Sequence, residues 1–241
     1  MWTKDELIVL PIMLLSIIII AGLLGYLLRN KSEKIRSIPL IVIAVVILVL
    51  EVIKQVRAIV IDDYSTWTVP LHFCSFFMVW FPLAQFTRGK VKQVGMACSL
   101  TASALMISLF YIGPTSIIGD SSGDVFGSFS NFHTFVFHHL IILYFFCFIA
   151  LRVYKPQKTD FLWMSVALTG YFIIATTMAH VLKTNYTNLL TSNIGFMESL
   201  RVSCGQVIYT MVMFLFGIGS TNLILLIYYL IWSKIQNKKQ K

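Results

Sequence analysis

The chain has 241 residues, of which 58% are hydrophobic and 12% charged. Soluble domains carry about 25% charged residues, and several apolar runs here reach the roughly 20 residues that a helix needs to cross a bilayer. This composition excludes an ordinary soluble globular protein and predicts an all-α, polytopic membrane protein. The net charge of +9 does not indicate a nucleic-acid partner, because the basic residues lie in short loops and at the C-terminus.

Hydropathy predicts seven transmembrane helices within a single domain that covers residues 1–241. The predicted spans are 7–28, 38–60, 69–86, 94–112, 134–153, 161–182 and 207–232. The first apolar run is too long for the core of a secretory signal and lacks an A-x-A cleavage site, so we expect it to be a span. Pro70 opens the third span and Pro82 lies within it.

The connections between these spans alternate in charge, which predicts the orientation of the chain. Basic connections surround Arg29, Arg88, Arg152 and the C-terminal lysines, whereas the intervening connections are neutral or acidic, as at Asp62. Because basic loops remain in the cytoplasm, the pattern predicts an N-terminus outside and a C-terminus inside. Membrane lipids are the expected partners.

The stretch from Thr68 to Ser75 carries unusual chemistry for an apolar run, since Pro70, His72 and Cys74 lie close together in it. An ionisable side chain within a membrane costs roughly 2.5–3.5 kcal/mol on insertion scales, so we expect such a residue to have a function. A thiol beside a histidine is typical of an activated nucleophile.

With the predicted orientation, the other titratable groups within spans fall in the same outer layer. Glu51 and Lys54 are three residues apart, so they share a helix face and can pair there. Intramembrane polar groups usually face the bundle interior and mark substrate or ion sites. We therefore predict an outward-facing polar cavity, with these candidate binding residues: Glu51, Lys54, His138, His180, Asn185 and Asn188. No cofactor or metal is expected, because the four cysteines and five histidines match no zinc-binding spacing.

Short motifs also give the chain a resemblance to a known family. The motifs are Pro70-Leu71-His72-Phe73-Cys74, the run that opens with His138-His139-Leu140 and ends at Arg152, and Thr184-Asn185-Tyr186-Thr187-Asn188. With the seven-span plan, from about residue 51 onwards, they resemble the YwaF-type bacterial integral membrane proteins. Those proteins in turn look like the eukaryotic transmembrane acyltransferases that remodel ether phospholipids. The resemblance implies the plasma membrane of a bacterial cell as the location.

The resemblance implies a catalytic cysteine near the Pro/His motif and a histidine partner from a later span, which matches His139. The family cysteine is expected between the proline and the histidine, where this chain has Leu71, and Cys74 lies three positions later. The implied catalytic residues are Cys74 as nucleophile, His139 as general base, and His72.

Two functions remain open from the sequence, and one of them is not enzymatic. One is a membrane-embedded acyltransferase or lipid hydrolase that acts on phospholipid-type substrates at the outer leaflet through a Cys/His site. The alternative is a transporter or binding protein for a small polar solute that uses the same outward-facing cavity. A structural subunit is a third interpretation, which no motif favours.

Overall fold

The computed structural model describes residues 4–112, 124–192 and 194–239, and every regular element in these ranges is helical. The helices are α1 (Lys4–Leu28), α2 (Glu33–Arg36), α3 (Ile38–Val60), α4 (Phe77–Phe86), α5 (Gly89–Ile112), α6 (Phe129–Leu151), α7 (Lys158–Leu182), α8 (Gly195–Cys204) and α9 (Gln206–Lys239). Short 3₁₀ helices cover Thr66–Thr68, Cys74–Phe76 and Tyr186–Asn188. The all-helical class predicted from composition is confirmed for the described residues.

The chain folds into two compact units, which are described separately. Unit 1 contains Met1–Arg57 and Phe77–Lys155, and unit 2 contains Ala58–Phe76 and Pro156–Lys241. The units are built from interleaved segments, with one boundary within α3, one at the start of α4 and one in the connection between α6 and α7. The prediction of a single domain is not tested by this division and stays a prediction.

Unit 1 is held together by close helix packing. A cluster of buried apolar side chains on α1, α5 and α6 joins these three helices: Leu10, Ile17, Phe110 and Ile142. Small residues let backbones approach closely in membrane proteins, and Gly95 of α5 lies where a Cβ atom would be 2.6 Å from the backbone nitrogen of Ala84 in α4. A glycine is therefore required at this crossing.

Polar contacts fix α6 within unit 1. Gln85 of α4 donates a hydrogen bond to the Tyr144 hydroxyl at 2.6 Å. At the C-terminus of α6, where carbonyls lack partners within the helix, the Arg36 guanidinium donates to the carbonyl of Leu151 at 2.8 Å. Both contacts help to fix the rotation and ends of α6, the helix that carries three of the five histidines.

Unit 2 packs α7 against α9 through aromatic and polar pairs. The rings of Phe172 and Phe214 lie 5.1 Å apart, and Asn222 donates to the Ser165 hydroxyl at 2.8 Å. The helix α8 is short and amphipathic, with Met197 as its buried residue. These contacts place the C-terminal end of α7 beside the N-terminal end of α9.

Six helices in the described part of the chain are long and apolar enough to cross a membrane, rather than the predicted seven. Their candidate spans are Leu7–Leu28, Glu33–Val60, Gly89–Phe110, Phe129–Leu151, Lys158–Leu182 and Gln206–Asn237. The chain is thus a multi-pass membrane protein by length and composition. Neither the count of seven nor the orientation of the termini is confirmed.

The predicted third span, 69–86, is where sequence and structure differ. The α-helix begins at Phe77 and has ten residues, which at 1.5 Å per residue reach about 15 Å, half of a hydrocarbon core. Pro70 has no N–H, and the Leu71 amide instead donates to the Val69 carbonyl at 2.8 Å in a tight turn. The prediction that helix begins at residue 69 is therefore wrong.

Candidate functional site

The segment from Val69 to Phe73 in unit 2 is irregular backbone within an apolar stretch. It ends in a turn in which the Ser75 amide donates to the His72 carbonyl at 2.9 Å, and Cys74 opens the 3₁₀ helix that follows. Irregular backbone at membrane depth is tolerated where protein buries it or where it lines a cavity. The structure satisfies this requirement with hydrogen bonds from α7 and the loop after it.

Tyr171 of α7 anchors this segment. Its hydroxyl donates to the Leu71 carbonyl at 3.3 Å and lies 2.7 Å from the hydroxyl of Thr187. Its ring packs 3.7 Å from the ring of Phe76, centroid to centroid. Two hydroxyl groups thus converge on the backbone immediately before His72.

His72 lies between two aromatic side chains. Its ring centroid is 4.4 Å from that of Trp67 and 5.1 Å from that of Tyr186, which it meets edge-on. The Tyr186 hydroxyl donates to the Thr66 carbonyl, and burial raises the pKa of this phenol, which keeps it protonated as a donor. Thr184 adds a hydroxyl contact to Thr66 at 2.6 Å, so the loop after α7 fixes the position of the imidazole.

Cys74 is distinguished from the other three thiols by its environment. None of the four cysteines is in a disulfide; Cys98 and Cys147 are fully buried, Cys204 is exposed, and Cys74 is half-buried. Cys74 therefore has the partial access that is one requirement of a reactive thiol.

Asn185 and Asn188 organise the loop after α7. The Asn185 side chain donates to the Thr191 hydroxyl at 2.8 Å and accepts from the amides of Leu190 and Thr191 at 2.9 and 3.2 Å. The Asn188 carbonyl accepts from the Tyr209 hydroxyl. To bind a substrate, Asn185 would have to release these loop contacts, and the binding role of both residues stays a prediction.

His180 is exposed at the C-terminal end of α7. It borders a groove of about 470 Å³ between α7 and α9, whose other lining residues are Thr176, Gln206, Val207, Thr210, Met211 and Phe214. In unit 2, His180 thus faces this groove, whereas His72 lies beside Trp67 and Tyr186. Its predicted substrate-binding role is not tested by this placement.

In unit 1, Glu51 and Lys54 form the ion pair that their spacing indicates. Lys54 Nζ lies 2.7 Å from Glu51 Oε1, and the Gln55 amide donates to the same oxygen at 2.7 Å. The Glu51 side chain is only 5% exposed, whereas that of Lys54 is 26% exposed. The pairing is confirmed, and it neutralises a carboxylate that is otherwise costly to bury.

The structure adds His133, which the sequence did not single out as a site residue. Its Nε2 lies 3.9 Å from Glu51 Oε2, and its side chain is 8% exposed. Four residues earlier on α6, Phe129 lies under the Arg57 guanidinium at 5.0 Å. His133 lies near the start of the helix, where histidines are common at the membrane interface, so the sequence did not distinguish it. Its four-residue spacing from Phe129 and Phe137 does indicate that the three side chains share one face of α6.

His138 and His139 are buried, and each bonds to its own helix. The Nδ1 atoms lie 2.7 Å from the Thr134 carbonyl and 2.6 Å from the Phe135 carbonyl, respectively. Since a carbonyl only accepts, each Nδ1 carries the proton, and Nε2 of the neutral ring is left as the basic nitrogen. His139 borders a small apolar gap with Phe110 and Ile142.

The predicted site residues thus fall into two groups, one in each unit. Unit 1 brings Glu51, Lys54 and His133 together, and unit 2 brings His72 and Cys74 beside Tyr171 and Tyr186. Within the described ranges, no three His, Cys, Asp or Glu side chains come together as a metal site would require.

Comparison with known proteins gives one match. No curated protein and no solved structure matches the chain. A family model described as TMEM164 family matches residues 1–218, which include every helix that carries a candidate site residue. On this match over nearly the whole chain, the protein belongs to the TMEM164 family of transmembrane proteins.

Proposed function

We propose that the protein is a membrane-embedded acyltransferase or lipid hydrolase that acts on phospholipid-type substrates through a Cys/His site. The observation that supports it is the environment of Cys74, a half-buried thiol at the end of an irregular segment that two hydroxyl groups hold in place. Outside a regular transmembrane helix, the direction of the Cys74 side chain is not fixed by α-helical geometry.

In the proposed reaction, the Cys74 sulfur attacks the ester carbonyl of a lipid. A C–S bond forms, the ester C–O bond breaks, and the departing alcohol takes up the proton that the thiol loses. An acceptor alcohol, or water in a hydrolase, then attacks the thioester and restores the thiol. A histidine moves the proton in both steps.

Two histidines are candidates for the proton transfer. His72 is two residues from Cys74 and is oriented by Trp67 and Tyr186. His139 matches the later-span histidine of the acyltransferases that the chain resembles, and its Nδ1–H bond to Phe135 leaves Nε2 basic. The resemblance implies His139 as the general base, and we propose His72, which lies in the same unit as Cys74, as a second proton carrier.

The resemblance of the Pro70–Cys74 and His138–Leu140 motifs to YwaF-type proteins and lipid acyltransferases supports the same chemistry. The alternation of basic and acidic connections supports a site that faces the outer leaflet, and the resemblance to YwaF-type bacterial proteins supports a bacterial plasma membrane as its location.

The test is acyl transfer and release from a phospholipid with a labelled acyl chain, using the full chain in nanodiscs. The Cys74→Ala and His139→Ala variants should each lose at least about 100-fold in rate, the scale of one general acid–base group. Cys204→Ser removes an exposed thiol and should keep full activity. Full activity of Cys74→Ala would remove the nucleophile from the proposal.

A second candidate function is the binding or transport of a small polar solute, which the buried Glu51–Lys54 pair favours. Ion pairs within membrane helices often mark solute pathways. A labelling experiment separates the two functions: a Cys74 that reacts with a thiol-directed lipid probe supports the enzyme. An inert Cys74, together with thermal stabilisation by a polar solute, supports binding or transport.

A further inference from the structure

Glu51 and His133 of unit 1 face one another with two unpaired atoms. Glu51 Oε2 and His133 Nε2 are both buried, and neither has a hydrogen-bond partner among the described residues. They lie 3.9 Å apart, beyond the roughly 3.2 Å of a direct N–H···O hydrogen bond. Because a buried polar atom without a partner is destabilising, a group that pairs with both atoms would be favoured here.

The 3.9 Å separation leaves no room for an atom between the two, so a shared partner has to approach from the side. An oxygen placed about 2.8 Å from each atom would lie about 2 Å from the line that joins them. The other carboxylate oxygen, Oε1, is already paired with Lys54 and Gln55. Among the described residues, the atoms of this pair that still lack a partner are therefore Oε2 and the imidazole Nε2.

Charge decides which chemistry fits there. Lys54 neutralises Glu51 at 2.7 Å, so a second cation would gain little from the carboxylate. An anion would be repelled by Oε2, which only accepts hydrogen bonds. A neutral hydroxyl fits both atoms, because it donates its proton to Oε2 and accepts from the Nε2–H of His133.

A ligand hydroxyl and a resident water both satisfy the two unpaired atoms that the described residues offer, since a buried water makes two to four hydrogen bonds. Access from outside favours the ligand. Lys54, with its side chain 26% exposed, marks the edge from which a ligand would enter.

We propose that Glu51 and His133 form a subsite that binds a hydroxyl group of an alcohol-bearing amphiphile. The subsite lies in unit 1 and does not depend on thiol chemistry at Cys74. Failure of the hydroxyl test therefore leaves the proposed reaction standing, and loss of the Cys74 role leaves the subsite standing.

The experiment compares two probes on the full chain in nanodiscs. One is 1-oleoylglycerol, and the other is its analogue with both hydroxyls methylated, which keeps the acyl chain but cannot donate. We expect 1-oleoylglycerol to raise the unfolding temperature at about tenfold lower concentration than the methylated analogue, the ratio that about 1.4 kcal/mol of hydrogen bonding gives.

The His133→Phe variant removes Nε2 and keeps a ring that can pack near Phe129 and Phe137, whose centroids lie 5.9 and 5.3 Å from that of His133. In this variant the tenfold preference should disappear, whereas it should persist in Tyr26→Phe, a change at an exposed aromatic residue of α1 that lies outside both candidate sites. Equal shifts from both probes on the wild-type chain would mean that water alone fills the gap, and would overturn the proposal whether or not the variant folds. A preference that survives in His133→Phe would overturn it as well.

Discussion

The hydroxyl of Tyr171 lies 2.7 Å from the hydroxyl of Thr187, and this pair joins α7 to the loop that follows it. Tyr171 also donates to the Leu71 carbonyl at 3.3 Å. One tyrosine thus fixes the backbone before His72 and Cys74. The candidate nucleophile depends on α7 for its position, although it belongs to a different segment of the chain.

Replacing this hydroxyl should loosen the segment. Tyr171→Phe keeps the ring that packs on Phe76 and removes the donor to Leu71, so we expect a loss of about 1 kcal/mol in unfolding free energy and faster alkylation of Cys74 by a maleimide. Tyr26→Phe, which changes an exposed tyrosine of α1, should alter neither quantity. Unchanged stability and alkylation in Tyr171→Phe would show that Tyr171 does not hold the segment.

The crossing of α4 and α5 should tolerate no side chain at Gly95. In Gly95→Ala the new Cβ would lie 2.6 Å from the Ala84 nitrogen, and because backbone cannot rotate away, we expect a loss of about 1–3 kcal/mol. Gly170 has no atom within 4 Å of the corresponding position. Gly170→Ala should therefore be neutral or slightly stabilising in the same unfolding measurement; equal effects from the two would contradict this packing.

The buried ion pair predicts an asymmetry between single and double variants. Lys54→Met leaves the Glu51 carboxylate buried without its cation, which should cost about 3 kcal/mol. The double variant Glu51→Gln/Lys54→Met removes both charges and should recover most of that loss. Unfolding of the three proteins in bicelles measures the difference. A double variant as unstable as Lys54→Met would mean that the charge of Glu51 is not the source of the cost.

The loop before α8 should respond to acid. Hydrogen bonds from Arg201 and from the Ser192 amide lower the pKa of Glu198 to about 2 from its ordinary 4.5. Because this pKa is lowered, the contribution to stability is fully present above pH 4.5 and is lost as the pH falls towards 2. We expect hydrogen exchange at the Ser192 amide to lose its protection in that window, and Glu198→Gln to lower the protection at pH 6. Protection that is constant down to pH 2 would be the contrary result.

Much of the fold follows from hydropathy, and the exception has a physical cause. The span predicted over 38–60 has the same bounds as α3. An apolar run of this length in a bilayer satisfies its backbone hydrogen bonds by forming a helix, so hydropathy alone locates it. The span 69–86 was not predicted correctly, because the hydrogen bonds that keep Leu71 out of a helix come from Tyr171 and Thr187, about 100 residues away. Hydropathy does not contain such long-range contacts.

The candidate site was predictable only where partners are near in sequence. The Glu51–Lys54 pair follows from helical spacing, and the structure confirms it. Glu51 and His133 lie on different helices and are 82 positions apart in the sequence. The periodicity of either helix alone does not predict that the two side chains meet. Asn185 was predicted to contact a substrate because it is a polar residue at the end of a span. In the structure its side chain forms hydrogen bonds within its own loop.

The most direct test of the proposed reaction is to look for an acyl group on Cys74. The full chain carrying Cys204→Ser, which leaves Cys74 as the thiol that is not fully buried, is incubated with phospholipid, quenched in acid and analysed by peptide mass spectrometry. We expect the Cys74 peptide to gain the mass of one acyl chain, to lose it on treatment with hydroxylamine, and to accumulate it in His139→Ala only slowly. An unmodified Cys74 peptide under conditions where lipid is turned over would contradict a thioester at this residue.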